Sequence, residues 1–400
     1  MPSLTWRAVL EGVAALGTLG SIAFYFLSTM GLASFLSDSR KKLSRPSFPS
    51  SQLPPVSILK PLKGADPEIW ENFCSHCEQD YPDFQIIFGV SDVADPAVGV
   101  VRKLQAKYPK IPIDLIVCDG VLGANIKVSN LAQMLRAARH EILLVNDSDI
   151  RVATDYLRRV VPPLDDVSVG LVTCLYRGVA ALTLGSRLEA VGISADFAPG
   201  VLSARFLENG LHFGLGSTLA FRRKDLEAIG GFEALVNYLA DDYELGRRIA
   251  GTGKRVELSA ATVETYLPAY TIRQFWRHQL RWSRTIRDAR GWGYAGLVFT
   301  FGVPWALLTL TAARGAEWAW ILFAMTCIAR VTVGLGTGML ALREKGMRNI
   351  VLMPLRDLIA PLVWAASFLG NRVYWRGGVF SLKDGQLVGE SPTLAGDSKR

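Results

Sequence analysis

The chain has 400 residues, half of them apolar and 20% charged, with a formal net charge of +8 and a mean hydropathy of +0.24. So apolar a composition excludes a disordered, collagenous or coiled-coil protein, while 44 Lys+Arg and 36 Asp+Glu exclude one made of membrane spans alone. What remains is a mixed membrane-and-soluble protein whose basic excess suits anionic lipid, nucleic acid or a phosphate-bearing substrate.

The first apolar stretch, Gly12 to Leu36, carries no formal charge. At about 1.5 Å rise per residue a helix of this length exceeds a hydrocarbon core of roughly 30 Å. Arg40, Lys41 and Lys42 follow it, whereas only Arg7 and Glu11 precede it, so the positive-inside rule places the downstream chain in the cytoplasm. The segment is long for a cleaved signal peptide and lacks a small-residue cleavage site, so residues 1–43 read as a retained signal anchor.

Residues 44–272 read as a soluble α/β domain. Val56–Leu59, Phe84–Val90, Ile113–Cys118, Ile142–Val145 and Val169–Thr173 are short runs suited to buried strands. Helical patterns over Pro67–Gln79, Ala97–Tyr108 and Lys127–Arg139 alternate with them, which implies βαβ units on a largely parallel sheet. Ligands of such sheets bind beyond the carboxyl ends of the strands, and two strands end there in acids. QIIFGV stops at Ser91-Asp92, and EILLVN stops at Asp147-Ser148-Asp149. Asp92 alone suits a turn or a helix N-cap equally well. Asp-x-Asp after a buried strand lets two carboxylates converge on one hard cation, Mg²⁺ or Mn²⁺, beside a phosphate-bearing ligand. No phosphate loop is present, and Gly214-Leu215-Gly216 lacks the third glycine of a dinucleotide fingerprint.

A further acid pair, Asp241-Asp242, opens a helical pattern. It suits either a solvated helix N-terminus stabilised by its dipole or a general base for an attacking hydroxyl. Arg273, Arg277, Arg281, Arg284 and Arg287 then fall on one helical stripe, which makes 273–290 an amphipathic interfacial helix. Its arginines suit anionic headgroups, and Arg281 also suits a phosphate, whose oxygens match the guanidinium fork. A stripe at the edge of a span leaves no place for nucleic acid.

Within 291–342 two more apolar stretches, Gly291–Ala313 and Trp318–Leu342, read as a transmembrane hairpin, with Arg330 facing a partner helix or water. Ile350–Leu369 contains Pro354, Arg356, Asp357 and Pro361, so 343–388 is expected to hold re-entrant or interfacial helices, and 389–400 a flexible tail. The five cysteines show no disulfide framework, and Cys74-x-x-Cys77 lacks a second ligand pair for zinc. Of the four histidines, His212 and His278 are expected near the candidate site.

Taken together, Asp92, Asp147-Ser148-Asp149, Asp242 and Arg281-Trp282 resemble the D, DxD, D, (Q/R)xxRW series of inverting GT-A glycosyltransferases. SILKPLKGADP (57–67), SDVADPAV (91–98), GANIKVSNL (123–131), NDSDIRV (146–152), LADDYELG (239–246) and HQLRW (278–282) narrow the likeness to the ceramide glucosyltransferase family, glycosyltransferase family 21. FWRHQLRWSRTIR, PLRDLIAPLVW and NRVYWRGG look closer to its bacterial hopanoid branch, which implies UDP-N-acetylglucosamine and bacteriohopanetetrol rather than UDP-glucose and ceramide. The resemblance implies a GT-A domain facing the cytoplasm from a bacterial inner membrane, a UDP-sugar donor, an amphiphilic lipid acceptor and a divalent metal. Asp92 would bind uracil; Asp147 and Asp149 would hold the donor through ribose and metal; Asp242 would be the base. Arg281 would neutralise diphosphate and Trp282 would shape the acceptor end, with Lys60, Lys63 and Lys127 as secondary phosphate or loop contacts. Asp241, His212 and His278 are acceptor-side or secondary candidates. His278 departs from the Gln or Arg of the series. A processive polysaccharide synthase would need more spans. A polyprenyl-phosphate sugar synthase would lack the xxRW helix, and a catalytically dead scaffold would not keep every acid.

Overall fold

A computed structural model describes residues 6–43, 53–346, 348–375 and 378–389. In chain order, α1 (Trp6–Leu43) is followed by β1 (Val56–Pro61), α2 (Ile69–Cys77), β2 (Phe84–Val90), α3 (Pro96–Lys107), β3 (Ile113–Val117) and α4 (Ile126–Met134). Next come β4 (Ile142–Val145), β5 (Ile150–Arg151), α5 (Tyr156–Val160), β6 (Val169–Val179), α6 (Leu184–Gly192), α7 (Ala198–Leu207), β7 (Leu219–Arg222) and α8 (Arg223–Glu227). α9 (Asp241–Gly251) and β8 (Arg255–Tyr266) complete the sheet domain. The C-terminal part holds α10 (Ile272–Arg290), α11 (Trp292–Ala295), α12 (Gly302–Ala312), α13 (Glu317–Gly336) and α14 (Met353–Ser367). β9 (Arg372–Trp375), β10 (Gly378–Lys383) and β11 (Gln386–Gly389) end the described chain.

The β-branched runs form strands because their side chains are buried on both faces of a sheet covered by helices. The sheet has eight strands in the order β3-β2-β1-β4-β7-β6-β8-β5. β3, β2, β1 and β4 run parallel, which brings their carboxyl ends to one rim. β7 is antiparallel to β4, so the expected parallel sheet is a mixed one. β2 and β4 coincide with the predicted runs, whereas β6 continues to Val179 along a ladder with β8. One face is covered by a core containing Phe73, Phe88, Val101 and Leu104, the other by one containing Leu131, Phe221, Leu245 and Ile249. Each such fully buried side chain is worth roughly 1.5–3 kcal/mol. The α/β expectation, with apolar helices at both ends of the chain, holds.

α1 is continuous with this body. Leu32 and Phe35 belong to the second core, Asp38 pairs with Arg205, and Lys42 lies 3.1 Å from Glu257. Gly31 permits the contact: a methyl group there would come within 2.5 Å of the Leu202 carbonyl oxygen on α7.

Among the described residues, Trp6–Lys42, Glu317–Ala341 and Arg348–Ser367 are long and apolar enough to cross a membrane. Gly291–Ala313 forms no straight span: Trp292–Thr300 and Gly302–Ala312 meet at 60°. The break falls where Gly302 packs on Tyr25, whose hydroxyl accepts from Gly302 N at 3.2 Å. Conversely, the segment expected to be broken is one continuous element over 348–367, with Pro361 accommodated inside α14. Its two charges are matched: Arg330 of α13 pairs with Asp357 at 2.5 Å and with Asp196 at 2.6 Å, while Arg356 reaches Asp196 at 2.9 Å. Asp196 lies in a π-helical turn, Ile193–Phe197, between α6 and α7, so the sheet domain and the apolar helices share one ionic knot.

Residues 343–388 were expected to hold re-entrant or interfacial helices, but β9, β10 and β11 at their end form a three-stranded antiparallel sheet. Val373, Leu382 and Leu387 alternate inward and pack on Leu239, a small core the short strands concealed in the sequence. The tail expected to be flexible lies, after Gly389, outside the described residues.

Candidate active site

The polar cluster is built on the rim where β1 and β4 end. Asn125 caps α4, accepting from Val128 N at 3.2 Å, and this first turn delivers Lys127. Lys127 is buried and lies 2.9 Å from Asp147 Oδ1 and 3.1 Å from Asp241 Oδ2. Burial works against its charge, yet Asp147, Asp241 and Asp242 together hold its proton more tightly than that of a free lysine. Asp241 faces Lys127 and Asn125 from the first turn of α9, so it is part of the framework of the cluster.

Asp242, on the same turn, points the other way. Its Oδ2 accepts from Gly216 N at 2.7 Å and its Oδ1 from Tyr243 N at 2.8 Å. A methyl group on Gly216 would lie 3.0 Å from Asp242 Oδ2 and 3.3 Å from Asp147 Oδ2. The two carboxylates therefore converge on the space over Gly216, a residue that sequence reading set aside when Gly214-Leu215-Gly216 failed as a dinucleotide fingerprint. Withdrawal from water first, then the neighbouring Asp241 charge, push the Asp242 carboxyl up to about 6.

Asp149 follows on β4's outgoing turn. Its Oδ2 accepts from Thr265 Oγ1 at 2.6 Å. Burial first and the Asp147 charge second push this carboxyl up to about 7. Between them, Ser148 turns away to donate to Asp66, as the middle residue of Asp-x-Asp should.

Lys60 ends β1 fully buried, donating to the Asp147 carbonyl at 3.0 Å and lying 3.3 Å from His76 Nε2. His76 Nδ1 lies 2.9 Å from the Asn72 carbonyl, so its Nδ1–H donates there and Nε2 accepts from Lys60. Burial lowers the lysine to about 7. A charged residue inside the apolar run VSILKP was the trace of this role in the sequence.

Asp92 lies on the same rim, beyond β2, and is exposed; its Oδ1 accepts from Ala94 N at 2.9 Å, so it also makes the turn into α3. His212 is exposed and enters none of the hydrogen bonds of the cluster. α10 brings up Arg281 and Trp282. Trp282 packs edge-on against Phe197 at 5.9 Å and lies 5.6 Å from the His278 ring. His278 stacks on Tyr270 at 5.3 Å and faces Glu189, a buried acid that sequence reading missed. Two further arginines of the stripe serve the protein itself: Arg284 donates to the Arg372 carbonyl at 2.5 Å, and Arg287 to the Ser367 carbonyl and, at 2.5 Å, to Asn371 Oδ1.

Among the described residues no group of three or more His, Cys, Asp or Glu side chains is set for a metal. Asp147 and Asp149 offer oxygen donors, and burial first, then the Asp147 charge, raises the proton affinity of Asp149. Such a pair fits a hard divalent cation only with further oxygens from a ligand. The cysteines are unpaired thiols, and Cys77, pushed up to about 12 by burial, is held as a neutral group.

Ceramide glucosyltransferase 3 of Caenorhabditis elegans is 24% identical over 368 residues, spanning 88% of this chain and 78% of the relative. Ceramide glucosyltransferase 1 of the same organism is 22% identical over 403 residues, spanning 96% and 84%. Among solved structures, the mannosyltransferase PcManGT from Pyrobaculum calidifontis, in complex with GDP-Man and Mn²⁺, aligns with 89% of this chain and 99% of its own at 20% identity and a TM-score of 0.47. The sequence pattern of Glycosyl transferase family 21 matches residues 17–388. The chain belongs to that family, as a glycosyltransferase homologous to the ceramide glucosyltransferases.

Proposed function

We propose that the protein transfers glucose from UDP-glucose to the primary hydroxyl of a ceramide-type lipid at a membrane surface, with inversion at the anomeric carbon. The observation that carries this reading is the convergence of Asp242 Oδ2 and Asp147 Oδ2 over Gly216. One carboxylate stands where a donor's diphosphate end would be held, the other where an acceptor hydroxyl would arrive. Asp242 takes the acceptor proton; its proton affinity, raised toward neutrality, suits a general base better than an ordinary carboxylate. Gly216 N and Tyr243 N hold that carboxylate in one orientation. Lys127 and Arg281 supply positive charge for the diphosphate leaving group. Asp147 and Asp149 would hold a divalent cation, Mg²⁺ or Mn²⁺, whose chemistry is charge neutralisation at that diphosphate. Asp92, on the donor rim, binds uracil, and Trp282 borders the acceptor.

The apolar helices keep this site beside the bilayer, so that the acceptor's tails stay in lipid while its hydroxyl reaches Asp242. We place the catalytic body on the cytoplasmic side, because Arg40, Lys41 and Lys42 end α1. The hopanoid reading drawn from the C-terminal segments gains no support from the relatives, whose names are those of ceramide glucosyltransferases. The test is the full chain in liposomes with UDP-glucose or UDP-N-acetylglucosamine, each offered ceramide or bacteriohopanetetrol. Mass spectrometry of the lipids is expected to show glucosylceramide, and a hexosaminyl hopanoid instead would replace the ceramide reading.

A further inference from the structure

α6 carries a carboxylate where an ordinary core helix would carry a methyl group. Glu189 is 3% exposed, between the buried Leu188 and Ala190. α6 lies hard against the start of α10: a methyl group on Gly185 would come within 2.6 Å of the Tyr270 carbonyl. A carboxylate in such a place is costly unless it is bonded and its charge is balanced. Gln279 Nε2 donates to Glu189 Oε2 at 2.6 Å, and His278 Nδ1 lies 3.4 Å from the same oxygen. Burial pushes the Glu189 proton affinity up, but His278 foremost, then Arg356 and Gln279, bring it below that of an ordinary glutamate. Gln279 satisfies the hydrogen bond, and the His278 ring faces the same oxygen. His278 stands at the position where the motif series has Gln or Arg, so the departure in sequence has a partner in space.

The pair lies under a continuous aromatic run. Tyr270 stacks on His278, His278 contacts Trp282, Trp282 meets Phe197, and Phe197 packs on Tyr176 at 5.0 Å. The far end of the run is fixed as well, because Asp196, adjacent to Phe197, is held by Arg330 and Arg356. The near end carries His278 and its acid. We propose that Glu189 is a positioning residue: paired with His278, it fixes the ring of Trp282 and thereby sets affinity for the lipid acceptor without touching substrate. This rests on the reading above that Trp282 borders the acceptor.

The test uses the full chain in phosphatidylethanolamine–phosphatidylglycerol liposomes with UDP-glucose and ceramide. Glu189→Gln keeps an acceptor for Gln279 and removes the charge. It is expected to raise the ceramide KM about tenfold, with kcat and the UDP-glucose KM within about twofold of the wild type. His278→Gln is expected to do the same. The double variant, neutral at both places, is expected to recover to within about threefold of the wild-type KM. An unchanged ceramide KM in Glu189→Gln, equal changes in kcat and both KM values, or a double variant as impaired as the product of the singles would overturn the proposal. If Glu189→Gln does not fold, Glu189→Asp, which shortens the reach and keeps the charge, is expected to give the same split between the two KM values. ¹⁵N-histidine NMR supplies a readout without turnover: the ring resonance lost in His278→Gln is expected to shift in the Glu189 variant, and an unmoved resonance would overturn the pairing. A wild-type protein that glycosylates no lipid while that resonance still shifts would sink the functional reading and leave the pairing standing.

Discussion

Lys127 lies 2.9 Å from Asp147 Oδ1, joining the first turn of α4 to the carboxyl end of β4 through one ion pair whose lysine is buried. Because the same ammonium also holds Asp241, it fixes the two acid-bearing turns of the cluster relative to one another. Lys127→Met is expected to lower kcat/KM at least a hundredfold, as removal of one partner leaves two carboxylates uncompensated. It also removes a charge that lowers the Asp242 proton affinity, so the acid limb of the pH–rate profile is expected to move to higher pH. A residual activity with an unmoved acid limb would speak against this bridging role.

Asp242→Asn is expected to abolish transfer while UDP-glucose binding, read by isothermal titration calorimetry, survives. In the wild type the carboxylate is the active form, and its proton affinity is raised to about 6. Activity at subsaturating acceptor is therefore expected to be lost as pH falls through about 6 and to level off above it. A rate that is flat from pH 5 to 8, a window chosen as roughly one to two units either side of that value, would contradict a base at this position.

For Asp149 the expected loss is of a different kind. Asp149→Ala removes one of two adjacent oxygen donors and leaves Asp242 in place, so UDP-glucose affinity is expected to lose its dependence on added Mg²⁺ or Mn²⁺. A donor affinity that responds to metal as before would exclude Asp149 as a ligand.

Gly216→Ala places a methyl group 3.0 Å from Asp242 Oδ2 and 3.3 Å from Asp147 Oδ2. Leu215 and Ser217 beside it are buried, and only the space between the carboxylates is altered. Transfer is expected to fall at least a hundredfold with a thermal midpoint near that of the wild type, checked by tryptophan fluorescence in detergent. Equal losses of stability and activity would mean that the glycine serves the fold alone.

Arg330→Leu tests the ionic knot. It removes the partner of Asp357 and leaves Asp196 with Arg356, and is expected to destabilise the protein by roughly 3–5 kcal/mol. Thermal unfolding in detergent reads the effect. A midpoint unchanged from the wild type would show that Asp357 finds another partner.

What the sequence made legible follows periodicity and strand ends. β2 and β4 were placed by their β-branched runs, and Asp147, Asp149 and Asp242 by the turns that follow buried strands or open amphipathic helices. The pairing geometry was hidden, because Lys127 meets Asp147 and Asp241 across contacts distant in sequence. The same holds for Arg330, whose partners lie on α14 and between α6 and α7. Asp241 read as an acid twin of Asp242 until the helix turned the two side chains apart. β9 to β11 are short strands with one small shared core, too weak a pattern to stand out beside apolar helices. Thr265 and Glu189 left no trace, and Gly216 stood out only as part of a failed dinucleotide fingerprint, since each matters only through the residue it touches.

The way α1 meets α7 bears on how the protein can be handled. With Leu32 and Phe35 sealed into the domain interior and Gly31 lodged against the Leu202 carbonyl, the N-terminal helix is a wall of the catalytic body rather than a leash. Trimming it to obtain a water-soluble fragment would open a greasy seam along α7 and invite aggregation, and an unrelated hydrophobic helix grafted in its place would restore attachment to the bilayer without closing that seam.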